Sequence, residues 1–280
     1  MSMKIRQLTQ SDIPELLHTI NGAFKDYIVP FQLDIEQLRQ KISMEDIQLT
    51  WSVAVFAENK LVAFMMHGLR EIDRQLVVYN GGTGVLPEFR GHGLVGKMYH
   101  YLIPFFNENK VRRIVLEAIE SNEAAIRAYM KNGFSINRQL LCFNGTIQPV
   151  TVSNVARIQP LSNFSWQEFQ SFWDILPSWQ SAAQSMDRLQ PRALGAYIDD
   201  KLVGYILFTS ENNRLYQIAV APEYRRKGIG TQLFQMLKEE MPAEKISFNN
   251  VDAKAEDVKL FLEKQGLVNG INQVEMIKLL

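Results

Sequence analysis

The decapeptide Val85-Leu-Pro-Glu-Phe-Arg-Gly-His-Gly-Leu94 returns 135 residues later as Val220-Ala-Pro-Glu-Tyr-Arg-Arg-Lys-Gly-Ile229. In each copy an arginine leads into a turn whose last glycine, Gly93 or Gly228, opens a helical pattern. The N–H groups in the first turn of a helix have no partner within it, and they converge where the helix dipole is positive. A phosphate group fits that point. The residue types and their spacing therefore offer one chemistry twice: the holding of a phosphorylated ligand by main-chain nitrogen.

Each turn must be delivered by a strand and received by a helix. In the first half residues 75–85 supply the strand, and Gly81-Gly82 within it predicts a bulge or a place where a ligand comes close. From Gly93 the residues Leu94, Met98, Leu102 and Phe105 keep helical spacing, with Pro104 marking a kink or the approach of the end. Upstream, residues 4–8 alternate as a strand, Asp12 starts a helix with Leu16 and Ile20 on one face, and Asp34 caps another. Residues 51–56 and 61–66 read as a hairpin turning at Glu58-Asn59. Downstream come a strand over 113–119, a helix from Ser121-Asn122 to Asn132, a left-handed stop at Gly133 and a strand over 134–143.

The second half repeats this order, with strands over 193–198, 202–209 and 215–220, a helix from Gly228, a strand over 246–249, a helix over 256–265 and a strand over 274–279. Trp166, Phe169 and Trp173, three and four apart, predict a helix that buries them. The fold class is α+β: two tandem domains, each a mostly antiparallel mixed sheet flanked by helices. The expected division is 1–143, a linker over 144–156, and 157–280, the linker carrying Gly, Pro, Thr, Ser and Asn without periodicity.

Composition narrows the function. With 30 Lys+Arg against 30 Asp+Glu in 280 residues there is no bulk cationic field for a nucleic-acid backbone or an anionic membrane, so any anion site is local. The single cysteine, Cys142, excludes an internal disulfide framework, and the start Met-Ser-Met-Lys-Ile-Arg lacks a secretory apolar stretch, which reads as cytoplasmic. No apolar run approaches the roughly 20 residues of a spanning helix. No metal ligands are expected, and the oligomeric state is not legible.

On these motifs the chain resembles the GNAT superfamily of acyl-CoA-dependent N-acyltransferases, whose signature is Gln/Arg-x-x-Gly-x-Gly/Ala after a strand ending in Val-x-Pro. Arg225-Arg-Lys-Gly228-Ile-Gly230 fits at every fixed position, and Arg90-Gly-His-Gly93-Leu-Val95 departs only at Val95. The resemblance implies acetyl-CoA as cofactor, its pyrophosphate on the turn amides and its pantetheine arm paired with the preceding strand. Carried over, it assigns Thr83, Gly84, Val85, Arg90, Gly91, His92, Gly93, Leu94, Val95 and Gly96 in the first half. In the second it assigns Ile218, Ala219, Val220, Arg225, Arg226, Lys227, Gly228, Ile229, Gly230 and Thr231. The γ-methyls of Val95 are expected to tighten the first pocket where the phosphates approach.

The first half also carries Leu116-Glu117-x4-Asn122-x2-Ala125-x3-Tyr129-x3-Gly133-Phe134. This is similar, at matching spacing, to the family members that acetylate the N-terminal alanine of a ribosomal protein. The resemblance implies Glu117 as proton acceptor, Asn122 as a cofactor contact and Tyr129 as proton donor. Amide formation from a thioester requires a neutral amine, so a base must take the ammonium proton. A phenol near 10 then suits a departing thiol near 8.5. The alternatives are a packed aromatic at 129, a simple helix cap at 122 and a merely solvated or paired carboxylate at 117. His67 and His92 have no recognisable partner in sequence. Tyr27, Pro30 and Phe31 fall in the loop that lines the acceptor site in this superfamily.

Counting back from Gly266, Leu262, Ala255 and Asn250 take the places of Tyr129, Asn122 and Glu117. The first half thus keeps the catalytic string and the second only the turn. The expectation is an N-acetyltransferase acting on a small-molecule or peptide amine; the alternative is a CoA-binding regulatory or sensor protein without turnover.

Overall fold

The computed structural model describes residues 3–151, 154–241 and 245–280. Met1 and Ser2, and positions 152 and 153 of the expected linker, lie outside these residues. In chain order the elements are β1 (Met3–Gln7), α1 (Ile13–Ala23), α2 (Ile35–Met44), β2 (Val53–Ala57), β3 (Lys60–Ile72), β4 (Gln75–Val85), α3 (Leu94–Glu108), β5 (Val111–Ile119), α4 (Glu123–Lys131) and β6 (Ser135–Gly145). They continue as β7 (Arg157–Pro160), α5 (Trp166–Gln170), α6 (Ala183–Leu189), β8 (Arg192–Ile198), β9 (Lys201–Thr209), β10 (Arg214–Val220), α7 (Ile229–Glu240), β11 (Ile246–Asp252), α8 (Glu256–Lys264), β12 (Leu267–Asn269) and β13 (Gln273–Leu279).

Local chemistry accounts for many of the boundaries. Asp34 caps α2 by accepting from the Gln37 N–H while Gln37 reaches back to the Asp34 N–H, a reciprocal capping box. The β2–β3 turn puts Glu58 and Asn59 at positive φ (49° and 70°), as a two-residue hairpin of matching twist requires. Asn122 Oδ1 accepts from the Ala125 N–H at 3.1 Å and starts α4, and Gly133 at φ 85° stops it. Pro104 sits exposed inside α3, which runs on to Glu108.

The chain divides into one unit of Met1–Arg138 with Val274–Leu280 and another of Gln139–Gln273. These bounds differ from the expected 143 and 157, because β13 is grouped with the first unit and β6 from Gln139 onward with the second. In the first unit the strand order is β1-β2-β3-β4-β5-β13, and in the second β6-β11-β10-β9-β8-β7 with β12 on β6. Side-chain burial follows: Val274 and Met276 join the first core with Met98, Tyr99 and Phe106, whereas Leu141 and Phe143 join the second with Leu233 and Phe234. β4/β5 and β10/β11 pair in parallel, and β1/β2, β2/β3, β3/β4, β6/β11, β6/β12, β7/β8, β8/β9 and β9/β10 pair antiparallel.

A second core of the first unit, with Leu16, Ile20, Leu38, Phe64 and Met66, lies under α1 and α2. In the second unit the expected aromatic helix is only the five residues of α5; Phe169 is buried, stacked on Tyr205 with ring centroids 3.5 Å apart.

Candidate functional site

The site of the first unit begins where two parallel strands stop pairing. The β4/β5 register ends at Asn80–Leu116, while β4 runs to Val85 and β5 to Ile119. Against β3, Met66 faces Gly82 and His67 faces Asn80, so Gly81 is the extra residue of a bulge, as its glycines predict. The Leu86 N–H bonds Val62 O at 2.9 Å. By alternation Gly84 also turns its polar groups to β3, and Thr83 and Val85 turn theirs to the open edge. The edge thus offers Val85 rather than Gly84. An added Cβ at Gly84 would press into the Phe64 ring at 2.5 Å, which is why this position is bare.

The turns have the geometry the repeat promises. Gly91 and Gly93 are left-handed (φ 79° and 68°), and a Cβ on either would meet nothing within 4 Å. The first intrahelical bonds run from Lys97 N–H to Gly93 O (3.1 Å) and from Gln232 N–H to Gly228 O (3.0 Å). The amides of Leu94, Val95 and Gly96, and of Ile229, Gly230 and Thr231, are therefore outside the helical ladder. Arg226 holds Gly91's left-handed conformation in the second unit at φ 61°. An open cradle of amides fits a diphosphate in both units.

Three assignments change. Arg90 and Arg225 do not extend into the cradles. Arg90 is forked onto Asp26 (2.7 Å twice) and bonds Ala23 O and Val85 O; Arg225 bonds Asp174, Phe172 O and Val220 O. Each is consumed by its own framework. Val95 packs against the first core, and a Cβ on its counterpart Gly230 would approach Phe261, so position 95 looks to the neighbouring helix rather than to the phosphates. His92 is exposed, its Nδ1 near the carbonyls of Phe89 and Arg90. His67 is buried beside Phe106, and burial holds its imidazole down to about 3, neutral in the core.

On the α3–α4 side of the sheet a polar path crosses the core. Asn80 Nδ2 donates to the Tyr99 hydroxyl (2.9 Å) and to Thr83 Oγ1 (2.8 Å), and the Tyr129 phenol lies beside Thr83. Burial pushes the Tyr129 phenol up to about 12, against the pull of Thr83. The close match to a thiol expected from the ordinary phenol value is lost, and the group stays protonated at neutral pH. From the loop after α1, the Tyr27 hydroxyl comes beside Asn122, and burial raises its phenol too. Asn122 is thus both helix cap and part of this convergence.

Glu117 lies on the opposite face. The Tyr79 hydroxyl donates to its Oε2 at 2.9 Å, and its Oε1 is buried without a partner. Burial pushes the carboxyl up to about 7; Tyr79 lowers it, Glu275 and Glu45 raise it and Arg138 lowers it. Glu275 is paired with Arg138 (2.7 Å) and Glu45 with Lys41 (2.6 Å), so each has its own cation. Glu45 reaches the place a Cβ on Gly81 would fill. Glu117 is half-buried with no ion pair among the described residues, and with Tyr129 it flanks the strand parting from either side. Tyr79, Asn80 and Tyr99 were not singled out in sequence. The one available signal was a polar Asn80 in the apolar run before the glycines.

The second unit repeats the geometry and removes the chemistry. Its β10/β11 register stops at Leu215–Phe248, and Tyr216 is the bulge residue. By register and helix position Asn80, Thr83, Tyr99 and Tyr129 correspond to Leu215, Ile218, Phe234 and Leu262, all in or against the second core. Tyr216 and Gln217 stand for Gly81-Gly82 and are buried; Gln217 accepts from the Tyr205 hydroxyl (2.7 Å), which accepts from Trp173 (2.6 Å). Among the described residues no group of His, Cys, Asp and Glu is placed to hold a metal ion, and no helix is long and apolar enough to cross a membrane.

A strand parting beside a glycine-led helix, present twice, is what comparison with known families bears on. Residues 16–134 match the acetyltransferase (GNAT) family and residues 160–279 an acetyltransferase (GNAT) domain. The chain belongs to the GNAT family, as a tandem member with two such domains. Solved structures agree in fold. A GCN5-related N-acetyltransferase from Sphaerobacter thermophilus has a TM-score of 0.73 at 16% identity over 99% of this chain and 95% of that one. A tandem GNAT protein from the clavulanic acid biosynthesis pathway gives 0.72 at 12% over 99% and 98%. A GCN5-related N-acetyltransferase from Anabaena variabilis gives 0.65 at 16% over 99% and 73%. No curated protein matches the chain in sequence.

Proposed function

We propose that the first unit transfers an acetyl group from acetyl-CoA to a primary amine by direct attack. The observation that carries this reading is the polar path Tyr99–Asn80–Thr83–Tyr129, present in the first unit and apolar at every position of the second. A polar path through a core costs stability unless it is used or fully satisfied.

The amides of Leu94, Val95 and Gly96 hold the diphosphate, and the free edge at Thr83 and Val85 receives the pantetheine arm as an added strand. Bound there, acetyl-CoA supplies an activated thioester. Glu117, poised near neutrality, takes a proton from the acceptor ammonium, directly or through water. Tyr129, protonated at neutral pH, hydrogen-bonds the departing sulfur from the other face, and the proton it passes to the thiolate is replaced by the one that the adduct nitrogen sheds. The Val85 N–H polarises the carbonyl, an electrostatic contribution of the kind that dominates acyl transfer. The second unit holds CoA at Ile229, Gly230 and Thr231 without transferring from it. Its filled acceptor side favours that ligand-only role, and the same role in both units would make the chain a CoA-responsive binding protein.

Calorimetric titration with CoA tests the cradles: Gly93→Glu and Gly228→Glu should each delete one of two binding events, and unaltered stoichiometry refutes the assignment. CoA release with a panel of primary amines separates the readings, since a binding protein releases none above hydrolysis.

A further inference from the structure

We propose that Arg90 and Asp26 form a latch that carries cofactor occupancy of the 90–96 turn to the 24–33 loop, and are positioning residues for the acceptor. The inference rests on the acetyl-CoA reading above. One guanidinium joins three elements: Nε donates to Val85 O at the end of β4 (3.3 Å), Nη2 to Ala23 O at the end of α1 (2.9 Å), and Nη1 and Nη2 to the two oxygens of Asp26 (2.7 Å each). The second unit builds a similar device, with one bond to the carboxylate in place of the fork. Arg225 Nε donates to Val220 O (2.9 Å), Nη2 to Phe172 O (2.9 Å) and Nη1 to Asp174 (2.6 Å). The partners are 64 residues apart in one unit and 51 in the other, so different loops have arrived at one arrangement.

The latch is not a stability device. Both of its partners in the first unit are substantially exposed, at 44% and 58%, and pairs of that kind add little to folding. What a planar fork with fixed donors does supply is registration, because a shift of the loop breaks several bonds together. The loop also holds together as a block. The Phe24 ring lies 4.9 Å from Tyr27 and 5.0 Å from Phe31, and the Tyr27 hydroxyl comes beside Asn122. A diphosphate on the amides beside Arg90 restrains the turn, the fork then restrains the loop, and Tyr27 and Phe31 take fixed places at the strand parting.

Hydrogen exchange read by mass spectrometry on the full chain, with and without CoA, tests this without a known acceptor. In the wild type CoA should slow exchange over both 90–97 and 24–33, the loop by about fivefold or more, the lower end of ordinary site-to-site coupling. Asp26→Asn and Arg90→Lys should keep the protection of 90–97 and the heat of CoA binding while losing that of 24–33, with melting points near wild type. A purely structural pair would leave the CoA-dependent protection of the loop unchanged in both variants, and that result overturns the latch. So does protection of the turn alone in the wild type, which leaves the acetyl-CoA reading intact. Protection of neither segment, with no heat of binding, removes both.

Discussion

Glu117→Gln should stabilise the protein at alkaline pH and change it little at acid pH. In the fold the carboxyl titrates at about 7, against 4.5 for the free group, because it is buried with one oxygen unpartnered. Below 4.5 it is protonated in both states and contributes no penalty. Between 4.5 and 7 the unfolded chain gives up the proton while the folded one retains it, so stability falls as pH rises, and above 7 the loss is constant. The difference of about 2.5 units at about 1.4 kcal/mol each makes the loss about 3 kcal/mol at pH 8 and about 1 kcal/mol at pH 5. Glutamine keeps the shape and an oxygen for the Tyr79 hydroxyl but never ionises. Urea unfolding of both proteins at pH 5 and pH 8 reads the gap, which should widen by about 2 kcal/mol or more. A carboxyl 13C titration of the wild type reads the midpoint directly. A midpoint below about 5.5, or a gap that does not widen, refutes the description of Glu117 as a buried base held near neutrality.

The remaining predictions use the same framework. Tyr79→Phe removes the hydrogen bond that favours the charged form, so the Glu117 midpoint should move further above 7 in the same 13C titration. Tyr129→Phe should lower turnover by about 100-fold or more, the usual contribution of a placed proton donor, with CoA affinity unchanged by calorimetry. Met276→Ala should cost about 2–5 kcal/mol in chemical unfolding, since this fully buried side chain belongs to the first core although it lies near the chain end.

What could be read from the sequence was local. The turn repeat, the hairpin at Glu58-Asn59, the Asn122 cap and the Gly81 bulge are each determined within a few residues, and the structure has each of them. Partners far along the chain could not be read. The strands over 134–143 and 274–279 both follow a helix that ends at a left-handed glycine, and both alternate, so nothing in either pattern says which core takes Leu141 and which takes Met276. The motif arginines look like phosphate ligands by type, and only the fold reveals that Asp26 and Asp174 have claimed them. Tyr79 and Glu117, 38 residues apart, meet because parallel neighbours pair through a crossover.

The two copies also bear on each other. Where the first holds a carboxylate that disfavours folding above neutral pH, the second has Asn250, whose Oδ1 accepts from Gln273 at 3.0 Å. Where the first has a half-buried phenol, the second has Leu262, with none of its surface exposed. The leucine relieves the fold of a polar group, whereas Asn250 does not, since its Nδ2 is buried without a partner and its backbone is left-handed at φ 63°. The phosphate turn has not been relieved in the same way. Arg226 keeps a left-handed backbone that disfavours any residue with a side chain, by about 1 kcal/mol or more, and the side chain is exposed. Packing supplies no reason for that strain. On the reading proposed above, a second diphosphate on the amides of Ile229, Gly230 and Thr231 would supply one.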